Sequence, residues 1–463
     1  MSGLGKLLIL LGATCALGVT PAHARLYTMQ ELLERVVKEY PGVAAAREGQ
    51  TAAEAQLMQA NSLWAPTGGI TFGITGSPDI KCADAQGHVD PDKVTRQNNC
   101  ITTTATDLRS SNIESVLPLH GVAMSFNATL IQPLYTSGKI EFARAAARAG
   151  VDLSKGQLAA SMNEAKLWAV RAYYGVKWAR AAKSTIDDGR TRLSDWIKHI
   201  DKDIDGGKSA YSESDLIRLK IASDAADLVS LDVTRGLDFA LAGLRFLTND
   251  READVDESDL DDVELIDQPL SYYEDAARVH RPEARMLDAG TEALKANRKL
   301  KISQMLPDVG LVTSFSYGLA TGVDDPNNAF MNRPNYLGAG LQLAARMPID
   351  IAVGIGRYNE ARAQERSFAA RRQQALGGIG LEIRKAWLDA AEARGRRQVL
   401  RHSEKIARGW YNATDQALQT GVADARDVAE SARAYVELRL RHLQALMDQN
   451  VALAVLRNSA GLL

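Results

Sequence analysis

Three cysteines, seven histidines and 6% aromatic residues in a chain of 463 leave few side chains for chemistry. There is no C-x-x-C and no pair of histidines at ligand spacing, which argues against a metal site. No nucleophile–base constellation or phosphate-cradling loop stands out, so no cofactor is expected, the histidines read as structural and an enzyme is the poorest fit. The formal net charge is −2, and no bulk attraction to nucleic acid follows from it. Beyond the first residues there is no apolar run of the roughly 20 residues that a transmembrane helix needs. If this chain crosses a membrane, it does so by strands.

The first 24 residues read as a secretory signal peptide. Lys6 supplies a short positive start, residues 7–19 an apolar run, and Ala22-His23-Ala24 a small-x-small cleavage site. The mature chain then begins near Arg25 and is exported. Gly12-Ala13-Thr14 ahead of Cys15 suit a lipid-attachment signal poorly, so lipid anchoring is the lesser reading. Cys82 and Cys100 remain, inside one polar loop of an exported chain, and a disulfide is expected between them. The alternative is two unconnected thiols.

What the chain does have is a duplication. Residues 121–149, GVAMSFNATLIQPLYTSGKIEFARAAARA, pass from period-2 alternation through Pro133 and a Thr136-Ser137-Gly138 turn into an Ala/Arg-rich helical run. Residues 337–363, LGAGLQLAARMPIDIAVGIGRYNEARA, repeat the pattern, with Pro348 matching Pro133 and Gly356 matching Gly138. The second turn is longer by three residues around Asp350-Ile351-Ala352. Upstream, Arg281-Pro282 matches Tyr40-Pro41, Pro307 matches Pro66 and Gly310 matches Gly69. The expected domains are residues 25–248 as the first repeat, 249–270 as an acidic, solvated linker, and 271–463 as the second repeat.

Within each repeat, helical periodicity gives way to a strand, a polar loop, a second strand and a long helical hairpin. The first strand alternates Ile70, Phe72 and Ile74, and its counterpart alternates Val309, Leu311, Thr313, Phe315 and Tyr317. Residues 78–120 read as a long exposed loop. The first outgoing helix, from Gly138 to about Ile200 without a proline, would be roughly 90 Å long at about 1.5 Å per residue. The second is expected from about Arg357 to Leu418, and Gly-rich breaks near residues 200–214 and 420–421 form the hairpin tips.

Strands of about 10 residues suffice to cross a bilayer when tilted. Their apolar face carries Leu, Val, Phe, Met and Ala, and the other carries Gly, Ser, Thr, Asn127, Gln342 and Arg346. Open sheet edges do not persist in hydrocarbon, and four strands are too few to close a barrel of about eight or more. Several chains would have to share one barrel. A half-buried sheet of a soluble protein shows the same alternation, but the long helices between such short strands favour the membrane reading.

The stretches QPLYTSGKIEFARAAARA, RMPIDIAVGIGRYNEARA, GGKSAYSESDL and TGVADARDV, set in this duplicated order, resemble the TolC-type outer-membrane efflux proteins. The resemblance covers residues 26–463. It implies an α+β fold of mostly long α-helices, internally duplicated, whose four short strands per chain join a trimeric 12-stranded transmembrane β-barrel continued by a periplasmic α-helical barrel. It implies a location in the cell outer membrane, and a passive, non-enzymatic exit duct of a tripartite efflux or type I secretion system. The partners would be two further copies of the chain, a periplasmic adaptor (membrane fusion) protein, an inner-membrane RND, ABC or MFS transporter and outer-membrane lipid, with no nucleic acid. The alternative is a soluble periplasmic coiled-coil scaffold or adaptor. By position, the family's periplasmic gate falls on Asp427 and Glu430, with Asp215 at the equivalent place in the first hairpin. Pro133, Gly138, Pro348 and Gly356 would mark the barrel-to-helix junctions. The family's locking tyrosine and arginine correspond to Leu418 and Ala423, and Tyr211 or Lys208 are the candidates to replace them.

Overall fold

The computed structural model describes residues 25–78, 80–83, 99–102, 119–206, 211–257, 260, 268–321, 335–420 and 422–463. The signal peptide with Cys15, Lys208 and Gly421 lie outside the described residues. The first repeat runs β1 (Arg25–Tyr27), α1 (Met29–Glu39), α2 (Pro41–Ser62), β2 (Thr67–Pro78), β3 (Ile80–Ala83), β4 (Asn99–Thr102), β5 (Leu119–Tyr135), α3 (Lys139–Asp205) and α4 (Glu213–Thr248). After β6 (Ala253–Val255) come α5 (Leu270–His280), α6 (Pro282–Ser303), β7 (Asp308–Ala320), β8 (Tyr336–Arg346), α7 (Ile351–Gln419) and α8 (Ala425–Ser459).

The duplication is visible in the lengths. The helices pair as 11 with 11, 22 with 22, 67 with 69 and 36 with 35 residues. Their ends follow from local chemistry. Thr28 and Glu31 form a capping box that starts α1. Pro41 and Pro282 occupy the first positions of α2 and α6, where the missing N–H has no helical partner to lose. Neither α3 nor α7 contains a proline, which lets each run unbroken.

Contacts divide the chain into two compact units that cut across the repeats. One comprises Ser154–Met286, Gln373–Leu463 and the described part of Met1–Gln50. It holds the buried cores. Leu32, Val36 and Val43 pack with Ala165, Ala169, Val176 and Leu244 in the first repeat, and Tyr273, Ala277, Ile383 and Leu456 pack in the second. The other unit comprises Thr51–Leu153 and Leu287–Arg372 and contains a four-stranded antiparallel sheet in the order β2-β5-β7-β8.

Two readings of the sequence need correcting. Residues 78–120 are not loop throughout, since β3 and β4 lie within them and pair antiparallel. The acidic stretch taken as solvated docks at its start. β6 pairs in parallel with β1, and Asp254 and Asp256 form ion pairs with Arg180 and Lys177 of α3. Burial pulls the pKa of Lys177 down, but its hydrogen bonds to Asp256 and Tyr173 outweigh this and leave it above the ordinary lysine value. Strands of three residues are too short to show alternation, and ion pairs between residues so far apart in sequence leave no local pattern.

Candidate functional site

The sheet has two faces of opposite character. Its register sets Ile70 opposite Ala128, Phe72 opposite Phe126 and Ile74 opposite Met124. The rows continue through Phe315, Tyr317 and Leu319 to Leu337, Ala339 and Leu341. Because side chains alternate across a strand, all of these share one face. That face is open, with Ile70 and Leu337 each 73% exposed. The opposite face carries Thr71, Gly73, Ser125, Asn127, Thr129, Ser314, Ser316, Gly338 and Gly340, with Ile131 and Val312 as an apolar pair beside Thr67 and Gln342. It is polar and closely set: a Cβ on Gly73 would come within 2.9 Å of Ser125 Oγ, and one on Gly340 within 2.9 Å of Ser314 Oγ. Among the described residues, the outer edges of β2 and β8 have no strand beside them. An edge of unpaired N–H and C=O groups is a template for another chain.

The passage from sheet to helix differs between the repeats. At the first junction Pro133 still lies in the ladder opposite Gly310, and a register shift follows before Tyr135. Proline cannot donate to a ladder, so a bulge is its natural place. Ser137 and Gly138 then take left-handed backbone conformations, with φ of 52° and 86°. Ser137 Oγ donates to the Pro307 carbonyl at 2.6 Å, and Lys139 Nζ reaches Asp308 at 2.6 Å. Arg144 Nη2 donates to the Asn61 carbonyl at 2.9 Å in the last turn of α2. At the second junction Pro348 lies between the end of β8 at Arg346 and the start of α7 at Ile351, outside the ladder. Gly356 is not a turn residue. It lies inside α7, which begins at Ile351 rather than near Arg357. The Asp350 carbonyl accepts from Gly354 N–H at 3.0 Å, so the three residues that lengthen this segment start the helix early.

The hairpin tips are in the other unit. Asp215 is the third residue of α4 and closes a capping box with Ser212, whose N–H and Oγ donate to its carboxylate at 3.1 and 2.6 Å. The hydrogen bond from the Ser212 hydroxyl is the main reason its pKa falls below the ordinary aspartate value. Asp427 and Glu430 lie in the first two turns of α8, both exposed, while Val428 and Ser431 of the same turns are buried. Spacing of three places the two carboxylates on one side of the helix. Leu418 is buried and Ala423 half-buried, and neither carries a polar group. Tyr211 packs against the tip core of Ile200 and Leu219, with its ring edge-on to His199, and burial raises its pKa.

An aromatic cluster near the tips leaves no pattern in the sequence. Tyr411 stacks on Tyr435 with ring centroids 5.6 Å apart, lies 6.2 Å from Trp196 and accepts from Arg192 at 3.0 Å. These residues come from α3, α7 and α8, so only the packing of the two hairpins brings them together. Further along α7–α8, His442 and Arg439 share the buried carboxylate of Glu404. Among the described residues there is no cluster of metal-ligating side chains. No helix there is long and apolar enough to cross a membrane.

Residues 274–462, the second repeat, match the family model described as outer membrane efflux protein. No curated protein matches the chain. Among solved structures it is similar to the CmeC outer membrane channel of Campylobacter jejuni, at 12% identity and a TM-score of 0.73, covering 94% of this chain and 85% of that one. It is similar to the outer membrane protein VceC of Vibrio cholerae, at 14% identity and a TM-score of 0.70, covering 94% and 96%. The open state of the MtrE outer membrane channel of Neisseria gonorrhoeae gives 14% identity, a TM-score of 0.71 and coverage of 94% and 89%. By sequence its second repeat matches the outer membrane efflux protein family, and by fold nearly all of its length is similar to solved outer membrane channels.

Proposed function

We propose that this protein is the outer-membrane exit duct of a tripartite export system, working as a homotrimer. The observation that carries this is the sheet: open at both edges, apolar on one face, and lined on the other by small polar residues. An open edge is not tolerated in hydrocarbon. Three copies of a four-stranded sheet make twelve strands, enough to close a barrel with lipid outside and a wet lumen inside. The helical unit also has uncovered apolar rows. Ile217, Ile221, Leu228 and Leu231 on α4, and Leu381, Leu388, Val399 and Ile406 on α7, are exposed at spacings of three, four, seven or eleven residues. Such rows suit helix–helix seams with neighbouring copies.

The helices would then continue the barrel through the periplasm towards an adaptor protein and an inner-membrane RND, ABC or MFS transporter, which supplies the energy. The duct itself only opens and closes. Three copies of Asp427 and Glu430 would form carboxylate rings at the tips and favour cations over anions. Asp215, held in its cap, would act there by fixing the start of α4. The register of β3 and β4 sets Cys82 opposite Cys100. Directly opposed Cα atoms in antiparallel strands are about 4.5–5.5 Å apart, which a disulfide spans. Thiol alkylation with and without reductant tests that bridge.

Detergent extraction from the membrane as a trimer, followed by planar-bilayer recording, tests the duct. Asp427→Ala with Glu430→Ala should raise single-channel conductance or weaken cation preference. Unchanged currents would remove these residues from the gate, whereas a monomer that needs no detergent would overturn the duct itself and leave the soluble scaffold.

A further inference from the structure

In the sheet-bearing unit, the end of α6 and the start of α7 enclose a groove of about 410 Å³ lined by Arg298, Tyr358, Arg362, Glu365, Arg366 and Ala369. Tyr358, Arg362 and Arg366 follow one another at intervals of four residues, so α7 presents them as a single row. Arg298 faces them from α6. Its Nε donates to Glu365 at 2.6 Å, and that pairing raises the arginine's already high pKa. Glu365 is thereby neutralised. Arg362 and Arg366 are exposed and form no ion pair or hydrogen bond among the described residues. Three guanidinium groups against one carboxylate leave the groove with two uncompensated positive charges. An adjoining groove is lined by Asn297, Lys301, Arg357, Glu360, Ala361 and Gln364, and there Arg357 pairs with Asp350 at 4.0 Å.

We propose that the Arg298–Arg362–Arg366 groove is a binding site for an anionic phosphate or carboxylate group. Like charges one helical turn apart repel, and they destabilise a helix unless something opposes them. The guanidinium fork matches phosphate and carboxylate oxygens two at a time, which makes paired arginines a recognition element for such groups. The Tyr358 hydroxyl, beside Arg298, supplies a further donor to an oxyanion. The site is independent of the tip carboxylates, which sit in the other unit and carry the opposite charge. The anion has two possible sources with the same chemistry: a free anionic solute or the headgroup of an anionic phospholipid.

The test uses the full-length trimer and the double variant Arg362→Gln/Arg366→Gln. Arg384→Gln/Arg401→Gln, which removes two exposed α7 arginines outside the groove, is the control. Inorganic phosphate is titrated calorimetrically in neutral detergent at low salt. In parallel, melting midpoints are compared in nanodiscs of phosphatidylcholine with and without phosphatidylglycerol. Phosphate binding at least tenfold weaker in the groove variant and unchanged in the control assigns the site to a free anion. A phosphatidylglycerol-dependent rise in midpoint that the groove variant alone loses assigns it to a lipid headgroup. The proposal is overturned if neither probe separates the two variants, or if the groove variant no longer forms trimers, since the arginines would then serve a neighbouring copy.

Discussion

The two units solve opposite problems with the same kinds of residue. In the helical unit Leu32, Val36, Ile200 and Leu244 are buried completely within a single chain. In the sheet unit Ile70, Phe72, Leu337 and Leu341 point outward with nothing of their own chain over them. Burying a leucine is worth about 1.5–3 kcal/mol relative to leaving it exposed, so the first arrangement stabilises a chain on its own. The second does not, and it gains only from an apolar surrounding. The difference is what the proposed duct requires: the helical unit closes cores within one chain, whereas the sheet's apolar face would be covered by lipid and its edges by further copies.

The comparison can be broken most forcefully in the core. Leu244→Ala should destabilise the helical unit by about 2–5 kcal/mol in denaturant titrations of the detergent-solubilised protein. Leu341→Ala, 69% exposed, should move the same midpoint by under about 1 kcal/mol. Equal effects would show that the sheet's apolar face packs within its own chain. Next in size, Leu341→Arg should leave the helical unit folded but cost about 2–4 kcal/mol if the residue lies at mid-bilayer. Lower recovery in the membrane fraction, with unchanged helix content by circular dichroism, is the expected outcome.

A smaller effect sharpens the contrast at the tips. Ser212→Ala removes the cap of α4 and should cost about 1 kcal/mol, read as faster amide exchange over residues 213–218. Because Asp215's pKa is depressed in the folded chain, its contribution is complete above the unfolded aspartate value of about 3.9. It is lost as the pH falls through the folded value. Acidification from about pH 4 downward should therefore loosen the start of α4 in the wild type and do so less in Ser212→Ala. β5, which contains no Asp or Glu, should not respond in that window.

Periodicity located the helices of the first repeat and the strands β2, β5 and β7, because those segments are long enough for a 3.6- or 2-residue pattern to repeat, and the repeat placed their counterparts. Matched prolines and glycines revealed the duplication, which the paired helix lengths repeat. Alignment by glycines misled at Gly356. α7 begins at Ile351, directly after Asp350, a residue type favoured at the N-cap, and not at a glycine turn. β1 and β6 were invisible at three residues each. At the candidate gate the position of Asp427 and Glu430 on one exposed side could be read from their spacing. The capping bonds of Asp215 were present in the Ser-x-x-Asp spacing but were passed over. Trp196, Tyr411 and Tyr435 come together only through tertiary packing.

The parallel pairing of β1 with β6 has a consequence in time. The core that these strands close draws on buried residues from Tyr27 to Val255 and none beyond. An exported chain emerges from its amino-terminal end, so every buried residue of that core is available before the second repeat arrives. β5, in contrast, waits for β7, and in the proposed trimer the sheet's edges would wait for further copies. Pulse-labelling with limited proteolysis should reveal a resistant fragment spanning roughly residues 25–257 first, with protection of β7 and β8 appearing later.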